Sequence, residues 1–321
     1  MAKGFRGSSG QPASPPYTNG PYTFSEPITF TGGASGAGVV TPSVVRFVDN
    51  SVTASGDGQS WETAYKYLQD AITDVGTNYD GKGAVIYVAP GLYKEATPIN
   101  ITTDDIRIIA IGNPEDTVIF GVTTQGTLGA ADDHLFNITG GNIYMYGLAL
   151  FTYKNNKAAV YLNGEGGGYT AGFCKFENCI FTPQAADGQA YGIYAKGGAG
   201  NEVIGCKFYA TKTAGIYIES STNNNPTRWT IAGNQFMGCG DAGIKVAALA
   251  LHESVIDRNI FNAGSESSYN QTDDIVFTAA CDAGSVTICD NYASTTTLGD
   301  FVADAGDITP LVFNNHYTAD S

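Results

Sequence analysis

From about residue 158 onward the chain alternates apolar and polar positions in short runs. One line reads Ala159-Val160-Tyr161-Leu162, Gly192-Ile193-Tyr194-Ala195, Gly215-Ile216-Tyr217-Ile218 and Gly243-Ile244-Lys245-Val246, then Asp274-Ile275-Val276-Phe277 and Asp300-Phe301-Val302-Ala303. Such alternation marks half-buried strands. A second line sets a small polar or thiol residue two places before an aromatic. It reads Cys179-Ile180-Phe181, Cys206-Lys207-Phe208, Asn234-Gln235-Phe236, Asn259-Ile260-Phe261, Asp290-Asn291-Tyr292 and Asn315-His316-Tyr317. Positions 179, 206, 234, 259, 290 and 315 are 27, 28, 25, 31 and 25 residues apart. One such turn cannot bury its own apolar line, but stacked turns can, so the period predicts a solenoid. Alternation turns Val160, Ile193, Ile216, Ile244, Ile275 and Phe301 inward.

Upstream, residues 45–49 read as a strand and 54–60 as a Gly/Ser turn. Trp61, Ala64, Leu68, Ala71, Ile72 and Val75 share one helical face, so a helix is predicted over 61–75 with Ser60 as N-cap. Ala84–Val88 follows as a strand. Residues 1–44 are different. They are rich in Gly, Ser, Pro and Thr, with too little apolar surface to fold alone. They are expected to form an extended arm that docks on a partner through Tyr17, Tyr22, Phe24 and Phe30. The solenoid is expected over 45–321.

Charge narrows the partners. The 321 residues carry a formal charge of −15, which excludes nucleic-acid binding through a general basic field. No apolar run is long enough for a membrane span. The first ten residues lack the apolar core of a secretory signal. Six cysteines, at 174, 179, 206, 239, 281 and 289, have no CxxC spacing, so buried reduced thiols are expected rather than a metal site. Asn137-Ile138-Thr139 fits a glycosylation acceptor only in a secreted chain. Gly164-Glu165-Gly166-Gly167-Gly168 lacks the lysine of a phosphate loop, and no cofactor is expected.

Phe47-Val48-Asp49, Gly56-Asp57-Gly58, Ser60-Trp61, Leu68-Gln69-Asp70-Ala71-Ile72 and Ile86-Tyr87-Val88-Ala89-Pro90-Gly91-Leu92-Tyr93 resemble the start of pectin-lyase-like proteins. The Gly-Ile-x-Ile and Asn-x-Phe lines are similar to that superfamily's repeats, so the resemblance covers about 45–317. It implies an all-β, single-stranded right-handed parallel β-helix. It also implies that the helix caps the N-terminal end and that the Cys/Asn/Asp line forms the turn between the second and third sheets. In enzymes of this superfamily the substrate groove follows the first sheet. Function is not implied, because lyases, hydrolases, phage tailspikes and adhesins share the architecture.

Alternation sends Tyr161, Tyr194 and Tyr217 outward on successive coils, with Lys196 and Glu219 paired two residues further on. Such a row is either a glycan platform or a ladder that stabilises neighbouring strands. Glu219, Asp241, Asp273, Asp274, Asp300 and Asp304 gather near the same face. Closely paired carboxylates suit glycoside hydrolysis or calcium, whereas scattered ones are a solvated acidic surface. The Gly-His-Gly and Arg-x-Lys motifs of the polygalacturonases are missing. A strand-borne arginine base, as in pectate lyases, is missing too. If the chain cleaves glycans, Glu219, Asp241, Asp274 and Asp300 are the candidates. The preferred reading is a virion structural protein of a tailed phage. It would assemble in the host cytoplasm, be released by lysis and join other virion proteins through residues 1–44. It is expected to be a homo-oligomer, as β-helix spikes resemble trimers, and to contact a surface polysaccharide through Tyr161, Tyr194, Tyr217 and Lys196. An extracellular polysaccharide lyase or glycoside hydrolase is the alternative, and a non-catalytic surface adhesin the second.

Overall fold

The computed structural model describes residues 44–79, 83–123, 133–152, 156–167, 170–182, 190–247, 251–262, 271–278, 286–295, 301–304 and 310–319. The proposed anchors Tyr17, Tyr22, Phe24 and Phe30, together with Asp300 and Cys281, lie outside them. Each coil visits three parallel sheets in turn. One coil consists of Tyr191–Lys196 in the first sheet, Glu202–Ile204 in the second and Lys207–Tyr209 in the third. The next repeats the path with Ala214–Glu219, Thr230–Ala232 and Gln235–Met237. Among the described residues the sheets hold eight, ten and nine strands.

Two complementary lines, from the first and third sheets, pack against each other in the interior. Val160, Ile193, Ile216, Ile244 and Ile275 pair in register and are fully buried. Phe181, Phe208, Phe236 and Phe261 stack with centroids 4.6, 4.9 and 4.9 Å apart. Glycines before the isoleucines make room for these rings. A Cβ on Gly192 would lie 2.5 Å from the Phe208 ring, and Gly215 and Gly243 face Phe236 and Phe261 in the same way. The coil of Ile275 breaks this pairing. Its glycine slot holds Asp274, and the residue in register with Phe261 is Ala293. The small alanine leaves the space that a buried Asp274 fills. Two sequence expectations slip near this break. Val302, not Phe301, pairs with Ile275, and the half-buried Phe301 ring packs edge-on against Phe261 at 6.1 Å.

The predicted polar line is the turn between the second and third sheets. Cys206 N donates to Asn234 Oδ1 at 2.8 Å, Asn234 N to Asn259 at 3.0 Å, Asn259 N to Asn291 at 2.9 Å, and Asn291 N to Asn315 at 2.9 Å. The fifth rung is therefore Asn291 rather than residue 290. Cys179 and Cys206 occupy the same slot as buried thiols, with Cys179 N 3.4 Å from Cys206 Sγ. Burial pushes the Cys206 thiol well above its ordinary value.

The cap helix runs over Leu68–Tyr79 rather than 61–75, and buries Leu68, Ala71, Ile72 and Val75. Residues before it are held by the first strand, Val44–Val48. Tyr65 N donates to Phe47 O at 2.9 Å and Asp49 N to Tyr65 O at 2.8 Å, which keeps residue 65 extended. Trp61 instead packs on Phe47 at 4.6 Å and is 38% exposed. Ser60 sits in a local turn, bonded to Thr63. The helix start is capped from 27 residues away. The buried Glu95 accepts from Leu68 N at 2.6 Å and Gln69 N at 3.4 Å, placing a carboxylate at the positive end of the helix.

Candidate functional site

The strands Ala158–Asn163, Tyr191–Lys196 and Ala214–Glu219 carry the predicted tyrosines outward in register. Tyr161 and Tyr194 lie 5.0 Å apart, and Tyr194 and Tyr217 5.3 Å. That spacing follows from the strand separation of about 4.8 Å, so the rings cover one another's faces. The row therefore presents ring edges and hydroxyls. Tyr191 adds a ring 5.1 Å from Tyr217 and 5.4 Å from Tyr194. His134 heads the row, stacked on Tyr161 at 4.6 Å.

The row ends on a carboxylate. Glu219 accepts from the Tyr194 hydroxyl and, at 3.3 Å, from the Tyr217 hydroxyl. Burial, with Glu219 second, pushes the Tyr217 phenol up to about 12, and the Tyr194 phenol moves the same way. Both remain neutral donors over the physiological range. Burial, helped by Lys157, holds His134 down at about 4, and its Nδ1 accepts from Ala158 N at 2.9 Å. Lys196 is a register neighbour of Glu219 but ion-pairs with Glu165 instead, which corrects the expected pair. At the head of the strip, Asn137 Nδ2 donates to Asn100 Oδ1 at 3.0 Å, while its own buried Oδ1 has no protein partner.

Among the described residues, the candidate acids Glu219, Asp241 and Asp274 are not assembled into one site. Asp241 pairs with Lys245 at 3.0 Å at the start of its strand, whereas Glu219 ends the neighbouring strand. Six residues of offset at ~3.3 Å each put them roughly 20 Å apart along the strand direction, beyond the ~6.5–9.5 Å of an inverting pair. Asp274 points into the core, contrary to its expected place on the acidic face. Gln271 Nε2 donates to it at 2.6 Å, and burial pushes the carboxyl up to about 7. Sequence reasoning missed Tyr191 and His134. Tyr191 lies outside the period-two line at the corner before Gly192, and His134 belongs to a coil whose repeat is less regular.

Three in-register parallel sheets with a stacked asparagine turn define a parallel β-helix. The chain belongs to the right handed beta helix region family, whose model matches residues 138–320. No curated protein sequence matches it. Similar solved structures share the fold at low identity. ORF18 of Geobacillus virus E2 is 13% identical, with TM-score 0.51 over 85% of this chain and 62% of that one. The deglycosylated pectin methylesterase of Aspergillus niger is 17% identical, with TM-score 0.51 over 87% of each chain. The catalytic domain of a GH87 α-1,3-glucanase in complex with nigerose is 11% identical, with TM-score 0.54 over 89% of this chain and 46% of that one. This chain thus spans less than two thirds of the phage protein and of the glucanase domain. The fold is shared with a phage protein and with polysaccharide-active enzymes.

Proposed function

We propose that this chain is a virion structural protein of a tailed phage, anchored through residues 1–44 and projecting a β-helix that contacts glycans without cleaving them. The observation that carries the glycan contact is the tyrosine–Glu219 strip. Three successive coils offer neutral hydroxyls, a carboxylate and the Lys196–Glu165 pair along one outward face. Sugar hydroxyls both donate and accept, so a strip holding both kinds of partner suits them. The absence of cleavage is supported by the engaged or buried state of Glu219, Asp241 and Asp274. The setting in a particle is supported by the fold shared with a phage protein. Among the described residues no helix is long and apolar enough to cross a membrane.

Mass spectrometry of purified particles should find the chain, and deleting residues 2–40 should remove it from them while the β-helix stays folded. The full-length protein should bind host envelope polysaccharide in biolayer interferometry and release no reducing ends from it. Tyr194→Ala should weaken that binding about tenfold. Cleavage that disappears in Glu219→Gln would instead establish a glycoside hydrolase or lyase.

A further inference from the structure

A second groove lies on a different sheet. It has a volume of about 400 Å³ and crosses the outer face of the second sheet at four successive coils. Arg107, Tyr144, Lys175 and Glu202 pair in register along its floor. Phe173 forms one wall and is 47% exposed. Its backbone is left-handed, at φ 56°, a conformation that bulky residues rarely adopt. The next coil is shaped to accept this ring. A Cβ on Gly200 would lie 2.6 Å from it, so glycine there lets the ring lie flat along the solenoid. Packing alone would favour a buried ring or a polar residue at this turn. The corresponding turn of the preceding coil has Asn142, also left-handed at φ 56°.

The charges beside the ring differ in availability. Lys175 is engaged by Glu177 at 2.9 Å and Glu202 at 3.7 Å, and lies over the Tyr144 ring at 5.8 Å. The Arg107 side chain is exposed and, among the described residues, makes no hydrogen bond or ion pair. Its planar fork matches a carboxylate or a phosphate. A rigid ring face beside an available guanidinium fits a sugar ring that carries an anionic group. The formal charge of −15 does not forbid this. Distant carboxylates are screened beyond about 10 Å at 0.1 M salt, so the charges at the groove decide, and there Glu177 and Glu202 are already engaged by Lys175.

We infer that this groove is a second glycan site, selective for a saccharide unit bearing a carboxylate or phosphate. The sugar's apolar face lies on Phe173 and its anion meets Arg107. A single sugar unit has few atoms, so millimolar dissociation constants are expected. The test is a calorimetric or saturation-transfer titration of the full chain with three probes: a glucuronate-terminated disaccharide, glucose 6-phosphate and neutral maltose. Either acidic probe, or both, should bind at least fivefold more tightly than maltose, and the pair distinguishes carboxylate from phosphate. Phe173→Gly removes the ring yet suits the left-handed backbone, so it should lose about tenfold in affinity with an unchanged fold. Arg107→Gln should remove the preference for charge. Tyr217→Ala, on the first sheet, should leave this titration unchanged, which separates the two sites. Equal binding of acidic and neutral probes, no binding of any probe, or undiminished binding by Phe173→Gly overturns the inference.

Discussion

At the residue scale, two buried titratable groups act in opposite directions. Asp274 is held up near 7 by burial, from 3.8. The folded chain keeps a proton there that the unfolded chain releases between about pH 4 and 7, so Asp274 lowers stability as pH rises through that window. His134 is held down near 4, from 6.5. As pH falls from about 6.5 to 4 the unfolded chain takes that proton first, so His134 lowers stability toward acid. At 1.36 kcal/mol per unit each contributes up to a few kcal/mol, and the two slopes partly cancel. Urea unfolding of wild type and Asp274→Asn from pH 4.5 to 7.5 should show the wild-type advantage shrinking as pH rises. Against His134→Phe the wild-type advantage should grow. A pH-independent difference would contradict the assigned environment. The polar–aromatic line of the sequence runs through Tyr292, but Tyr292 is 45% exposed, and Ala293, in register with Phe261, faces the core beside Asp274's coil. The sequence line follows large aromatics and has no signal for a carboxyl filling the ring's space.

At the element scale, that exchange is testable as a pair. Ala293→Phe alone crowds Asp274, an overpacking expected to cost ~1–3 kcal/mol. Adding Asp274→Gly restores the arrangement of Gly243 with Phe261 and should recover most of the loss at pH 7, a coupling readable in a double-mutant cycle. The asparagine turn has its own signature. Asn259 also donates from Nδ2 to Ile231 O at 2.9 Å and accepts from Asn234 Nδ2 at 2.9 Å. Asn259→Ala leaves several buried groups unpaired and should cost ~2–4 kcal/mol, with the midpoint read by urea unfolding. The repeat was legible because most coils from Ala158 onward solve the same burial problem with similar residues. The helix start was not. Periodicity marks a face but cannot see that Tyr65 is claimed by a strand edge, or that Glu95 supplies the cap.

At the scale of the whole molecule, the first-sheet strip was largely legible, since outward tyrosines on consecutive coils follow from alternation. The second-sheet groove was not, because Arg107, Tyr144 and Phe173 belong to three different coils and no single repeat contains the pattern. The position of the two tryptophans has an optical consequence. Trp61 stands half in water at the N-terminal end, and Trp229 is buried mid-solenoid with its Nε1 donating to Gly198 O at 2.9 Å. The native emission is therefore the sum of a long-wavelength and a short-wavelength fluorophore about 170 residues apart. In Trp61→Phe the remaining spectrum should shift to the blue and resist iodide quenching. In Trp229→Phe it should shift to the red and quench readily. The sheets pair each coil only with its neighbours, so the two single-tryptophan chains would time the loss of the cap and of the central coils as separate events.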